Sequence, residues 1–293
     1  MLLRHPAPTV LLAVVTALSL GGCTGAGSGG SSTDAACSPE RLDTVAPGTL
    51  TLSTGAVTRA PWVVGGDATT SADPRDGRGY DAAVGFAVAE RLGYLADEVT
   101  WTGTPFLEAV APGPKDFDVN VNQATITPER RADVDLSAPY YVMHQAVVTV
   151  KGRAVEKVTD RIALADVAVA AVTGSPSVEA FQQAVPGGRP PVGYPDLDGV
   201  RGAVSSGRQD AVVVDFRTAL QLDQEERLLV DGELVGLLPP GTGAQEEYGL
   251  VLEKDSPLTV CVDRALAALR ADGTLDRLAQ RWLVDEPGYR LLR

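Results

Sequence analysis

Twice along this chain, a strand-like run ends in a loop of small residues that feeds a helix, and this repetition does most to limit the fold. "GTLTLSTGA" alternates apolar residues with Thr and Ser and stops at Gly55; "VAVAAVTGSPS" behaves the same way ahead of the helical "SVEAFQQAV". Elsewhere, "YDAAVGFAVAERLGY" places Val84, Val88 and Leu92 at helical spacing, with Gly93 as a stop. "DFDVNVN", "HQAVVTVKG", "AVVVD" and "EYGLVLEKDS" are strand-like, and "PLTVCVDRALAALRADGTLDRLAQRWL" gives two helices broken at Gly273. The alternation predicts the α/β class, with mostly parallel sheets and helices on both faces. Two rounds of it predict two α/β domains. Ligands of such sheets sit beyond the carboxyl ends of the strands, so two sheets facing one another make a cleft.

The first residues point to export. Arg4 precedes "TVLLAVVTALSL", an apolar run too short to span a bilayer comfortably and matching a signal-peptide core. The run ends in "LGGC", Leu20 to Cys23, which looks like a lipobox, where the cysteine is diacylated and becomes the first mature residue. The alternative is an ordinary secretion signal with an incidental cysteine. "TGAGSGGSSTDAA" follows as a flexible Gly/Ser tether, which suits attachment to a membrane surface. The expected organisation is therefore a signal peptide at 1–22 and a tether at 23–36, lipidated at Cys23.

The chain of 293 residues, 44% hydrophobic, has room for two modest domains. Its formal net charge of -13 disfavours nucleic acid as a partner, because phosphate contact needs a basic surface. Two further cysteines, Cys37 before the first strand and Cys261 at the start of the last long helix, can be bridged outside the cell. Two buried free thiols are the alternative. No His/Cys cluster suggests zinc, and no cofactor is expected.

The stretch "NQATITPERRADVDLSAPYY", Asn122 to Tyr141, carries helix-start grammar. Thr127 can cap, Pro128 suits the first helical position and Glu129 favours the positive end of the dipole. Arg130 in that first turn is mildly unfavourable for the dipole. A guanidinium beside a polar strand-end loop of Asn122, Gln123 and Thr125 suits a carboxylate, gripped by two parallel charge-assisted hydrogen bonds. Pairing of Arg130 with Glu129, Asp133 or Asp135 on the surface is the alternative.

That stretch stands in order with "GYDAAVGFAVAERLG", "VTGSPSVEAF", "GRQDAVVVD" and "YGLVLEKDSPLTVCVDRALAALRADGTLDRLAQRWL". Together they resemble the family-3 periplasmic or lipoprotein solute-binding proteins of ABC transporters for polar amino acids, from about Gly48 to Trp282. The resemblance implies a two-lobed periplasmic-binding-protein-like fold (type II) with two crossing strands as hinge. Lobe one is then 37–143 plus 248–293, and lobe two 144–247. It further implies that Arg130 and Thr125 bind a ligand α-carboxylate, that Gln123 contributes a backbone contact, and that Asp215 binds the α-ammonium. The plainer role for Asp215 is a helix N-cap ahead of "FRTAL".

Departures from the family pattern sharpen the expectations. "GSPS" stands where the family usually has Gly-Ser/Thr-Thr, so Ser175 keeps its donor while Pro176 removes an N–H. Arg59 stands where several relatives place an aromatic residue; facing the pocket it would pair with an acidic or amide side chain, and otherwise it points to solvent. Trp62 and Trp101 either line the cleft or pack in lobe one, and His144 is either a side-chain contact or a hinge residue. The implied function is capture of a polar amino acid, with an acidic one or glutamine favoured, by a monomeric, lipid-anchored protein on the extracytoplasmic face. Its partner would be an ABC transporter permease. The competing class is an enzyme on the same scaffold, such as a dehydratase or lyase acting on a carboxylated small molecule; it needs an acid/base pair in the cleft. A sensory module is a third.

Overall fold

β1 (Leu50–Thr54) buries all five of its residues, as a strand covered on both faces must. It is the centre of a parallel trio with β2 (Val99–Gly103) on one side and β3 (Val119–Thr125) on the other. β4 (Asp135–Leu136) and β5 (Tyr141–Val142) complete this first sheet only because a late strand, β11 (Glu247–Leu252), returns to pair antiparallel with β3, β4 and β5. The second sheet contains β6 (Gln145–Val150), β7 (Val169–Val172), β8 (Val192–Tyr194), β9 (Ala211–Asp215) and β10 (Gly232–Leu238), in the order β10-β6-β9-β7-β8. There β7 runs parallel to β8 and β9, while β6 is antiparallel to both β9 and β10.

This computed structural model describes residues 35–64, 73–224, 231–240 and 245–293. The expected signal peptide, Cys23 and most of the tether lie outside the described residues. No helix among the described residues is long and apolar enough to cross a membrane.

The sheets are mixed rather than mostly parallel. The cause is the crossing strands: a chain that leaves one sheet through β6 and returns through β11 runs against the strands it joins. β8 and β10 were not expected from the sequence. β10 carries Gly232 and Gly236 and a register irregularity between Leu234 and Gly236, which together dilute its apolar pattern.

The helices follow their sequence signals closely. α1 (Tyr80–Leu92) buries Tyr80, Val84, Val88 and Leu92, one face at i, i+4 spacing, and ends at Gly93 in the left-handed region. α2 (Phe106–Ala109) and α3 (Pro128–Asp133) are short, and Thr127 caps α3 by accepting from the Arg130 N–H. In the second lobe, α4 (Pro176–Ala184) follows β7, α5 (Leu197–Ser205) follows β8 and α6 (Phe216–Gln224) follows β9. α7 (Thr259–Ala271) and α8 (Thr274–Ala279) break at Gly273, as expected. Cys37 and Cys261 are joined in a disulfide that ties the segment before β1 to α7.

Two features position the cleft. The loop after β1 lies across the start of α1, where the carbonyls of Pro61 and Trp62 accept from the first helical N–H groups of Tyr80 and Asp81. Gly79 permits that approach: a Cβ there would lie 2.5 Å from the Trp62 carbonyl oxygen, and its φ is 99°. Trp62 itself is 8% exposed and sits among Tyr80, Tyr141, Phe216 and Tyr248, with ring centroids 5.6–6.5 Å away. Because Phe216 opens α6, this aromatic cluster joins the two lobes where the chain crosses between them. The C-terminal tail makes a further crossing. Arg290 and Leu292 bond to Leu237 of β10, and Leu292 is fully buried in the second-lobe core.

Candidate functional site

The residues singled out in the sequence stand at the carboxyl ends of strands from both sheets. Gln123 and Thr125 lie at the end of β3, Ser175 follows β7 and Asp215 closes β9. They are gathered around two recesses and one side shelf.

The larger recess, about 220 Å³, is lined by Thr54, Arg59, Trp62 and Asn122 from lobe one and by Arg217 and Leu220 from α6. Gln123 borders it too, but its side chain turns inward. Its φ is 47°, its N–H donates to the Tyr140 hydroxyl at 3.1 Å, and its amide donates to the carboxylate of Asp81. The backbone N–H of Gln123 is thus spent within the protein. The second recess, about 90 Å³, is lined by Gln145, Ser175, Ser177, Asp215 and Glu246 among others. Here the Ser175 hydroxyl and the Gln145 carbonyl oxygen are buried with no hydrogen-bond partner. Orphan polar atoms of this kind are costly unless something polar fills the space they face.

Arg130 and Thr125 line neither recess; Thr125 is linked to the second through its hydroxyl's bond to Glu246. The Arg130 guanidinium donates to the Thr125 carbonyl at 2.7 Å and sits 5.1 Å over the Phe106 ring. Among the described residues no ion pair joins it to Glu129, Asp133 or Asp135; Asp135 instead accepts from Thr259 and faces Lys254. The Thr125 hydroxyl donates to Glu246 at 2.7 Å. Asp215 does cap α6, accepting from the Thr218 N–H at 2.8 Å, and its carboxylate also lines the recess, so the two roles expected for it are compatible.

Trp101 stands apart. It packs on Phe86 and lines, with Asp73 and Arg75, a more open shelf of about 360 Å³ that shares Thr54 and Thr58 with the 220 Å³ recess. His144 faces neither recess. Its Nδ1 pairs with the Tyr141 hydroxyl at 2.9 Å, and burial lowers its pKa to about 4, so it is neutral at physiological pH.

Sequence reasoning missed Arg217, Glu246 and Gln145 as lining residues. A signal existed for Arg217. Like Arg130, it places a cation in the first turn of a helix, against the dipole.

Beneath the site, Asp81 is fully buried and accepts from Tyr140 at 3.0 Å as well as from Gln123. Burial raises its pKa from 3.8 to about 7, against the lowering effect of those two donors. The folded chain therefore holds this proton across a window in which the unfolded chain has lost it, and stability falls as pH rises through that window. One such proton gives a slope of about 1.4 kcal/mol per pH unit at its steepest. Asp81→Asn is expected to flatten this slope, as measured by urea unfolding at about pH 5 and about pH 6.5. A variant that keeps the slope would assign the proton to another group.

Comparison with known proteins places this geometry. The family described as bacterial extracellular solute-binding proteins, family 3, matches residues 68–285. The arginine-binding extracellular protein ArtP of Bacillus subtilis is 25% identical over 214 residues, covering 71% of this chain and 78% of that protein. The L-cystine-binding protein TcyJ of Escherichia coli is 32% identical over 178 residues, covering 57% and 60%. Among solved structures, the unliganded, open L-cystine solute receptor of Neisseria gonorrhoeae is 25% identical with a TM-score of 0.50, covering 80% of this chain and 92% of that one.

Proposed function

Since the chain belongs to the bacterial extracellular solute-binding proteins of family 3, we propose that it captures a polar amino acid outside the cell and delivers it to an ABC transporter permease. The observation that supports this reading is the presence of opposite chemistries at the strand and helix ends of the two sheets. Thr125 ends β3 and Arg130 lies in the first turn of α3 in one lobe, and Asp215 ends β9 and Ser175 precedes α4 in the other. Arg130 would take the α-carboxylate with its two-pronged guanidinium, and Asp215 the α-ammonium. A zwitterion held from both sides favours the closed arrangement of the lobes, which is how such a protein would report that it is loaded. Cys23 would hold the chain on the outer face of the membrane through its lipid, with the Gly/Ser segment as a leash. The relatives named above are binding proteins, and neither recess offers a histidine as acid or base.

The test is a thermal-shift screen against the common L-amino acids and cystine. A ligand at about a hundred times its dissociation constant adds roughly 2.7 kcal/mol, which for a chain of this size is a shift of very roughly 5 to 10 °C. A flat screen would overturn the reading. Asp215→Asn separates the two duties of that residue. Asparagine is as good an N-cap as aspartate, so stability should change by less than about 0.5 kcal/mol, while loss of the charge should weaken amino-acid binding about tenfold or more. Calorimetric titration beside thermal unfolding reads both.

A further inference from the structure

We infer that the larger recess is a subsite for a second carboxylate, carried on the distal end of the amino-acid ligand and held between Arg59 and Arg217. This rests on the amino-acid-binding reading and names the ligand class within it. Two guanidinium-bearing residues, both exposed, line one open recess, Arg59 from the loop after β1 and Arg217 from the first turn of α6. The remaining polar lining is Thr54, Thr58, Asn122 and Gln123; among the described residues no aspartate or glutamate lines this recess. The Gln123 amide is turned away toward Asp81. Among the described residues no ion pair joins Arg59 or Arg217 to a carboxylate of the protein. The nearest acidic candidate by sequence, Asp215, lines the other recess and caps α6.

Two like charges lining one open recess repel, and an anion between them is the natural complement. A carboxylate matches the planar fork of a guanidinium better than an amide does, because it offers only acceptors. Arg217 also lies against the positive end of the α6 dipole, so an anion placed there gains from the helix as well. The ligand class follows: glutamate or aspartate, whose far end bears a carboxylate and no ammonium. A cationic side chain, as on arginine, meets two positive charges and is rejected. Because the two arginines belong to different lobes, a carboxylate spanning them adds to the bridge already made at Arg130 and Asp215.

The experiment is calorimetric titration of the full-length chain with L-glutamate, L-cystine, L-glutamine and L-arginine, for the wild type, Arg59→Gln, Arg217→Gln and Arg217→Glu. Glutamate should bind the wild type about tenfold or more tighter than glutamine, cystine and arginine, and each Arg→Gln change should erase most of that margin while moving glutamine by less than about threefold. Arg217→Glu should shift preference toward arginine. Tightest binding of glutamine, cystine or arginine by the wild type, or an unchanged margin in both Arg→Gln variants, would overturn this inference alone. Binding of none of the amino acids would overturn the amino-acid reading itself, and this inference with it.

Discussion

Arg130→Ala is expected to abolish amino-acid binding while leaving the fold in place. A hydrogen bond to a charged group contributes about 1.5–3 kcal/mol, and a two-pronged grip makes two of them, so its removal should weaken binding by a factor of about a hundred or more. The structural cost is small by comparison. In the free protein the guanidinium holds the Thr125 carbonyl and covers the Phe106 ring, contacts at a half-exposed site worth about 1 kcal/mol together. Arg130→Lys should fall between, since it keeps the charge and loses the fork. Titration calorimetry and thermal unfolding of the two variants decide the matter. Binding by the alanine variant within about tenfold of wild type would place the carboxylate site elsewhere.

The second large effect concerns stability. Cys37 and Cys261 are 224 residues apart in sequence, and both are buried. Cross-linking residues this distant removes much of the freedom of the unfolded chain, on the order of 5 kcal/mol by loop entropy. Cys261→Ser, or reduction of the wild type, should therefore lower the unfolding midpoint by roughly 10 to 20 °C. Because both ends of the bridge belong to lobe one, ligand preference should survive wherever the protein remains folded. A midpoint that reduction moves by only a degree or two would show that the unfolded chain gains little from release.

Much of this architecture was legible because its signals are local. Val84, Val88 and Leu92 announce a helix by spacing alone, Gly93 and Gly273 stop helices by taking up the left-handed region, and Thr127 caps where its neighbours say it should. Arg130 was found through the helix-start grammar around it, whereas Asp215 and Ser175 were found through the resemblance of their strand-end motifs to the family. What escaped depends on contacts between distant parts of the chain. Nothing near Asp81 says that it will be buried against Gln123 and Tyr140, 42 and 59 residues on. Glu246 stands in an acidic pair that resembles ordinary solvated surface, yet the Thr125 hydroxyl reaches it from 121 residues away. β10 was obscured by Gly236, and the reason lies at the far end of the chain: a Cβ at that position would meet the Arg290 carbonyl oxygen at 2.7 Å.

That contact changes what the C-terminus is good for. Leu237 donates to the Arg290 carbonyl at 2.7 Å and accepts from the Leu292 N–H at 2.8 Å, and the Arg290 guanidinium reaches the Val158 carbonyl. Residues 290–292 are thus fastened to lobe two, although α7 and α8 before them pack with α1 on lobe one. A fluorophore placed at Arg293 would ride with lobe two. Paired with a second dye on α1, it turns the end of the chain into a distance gauge for closure, without any alteration inside the cleft.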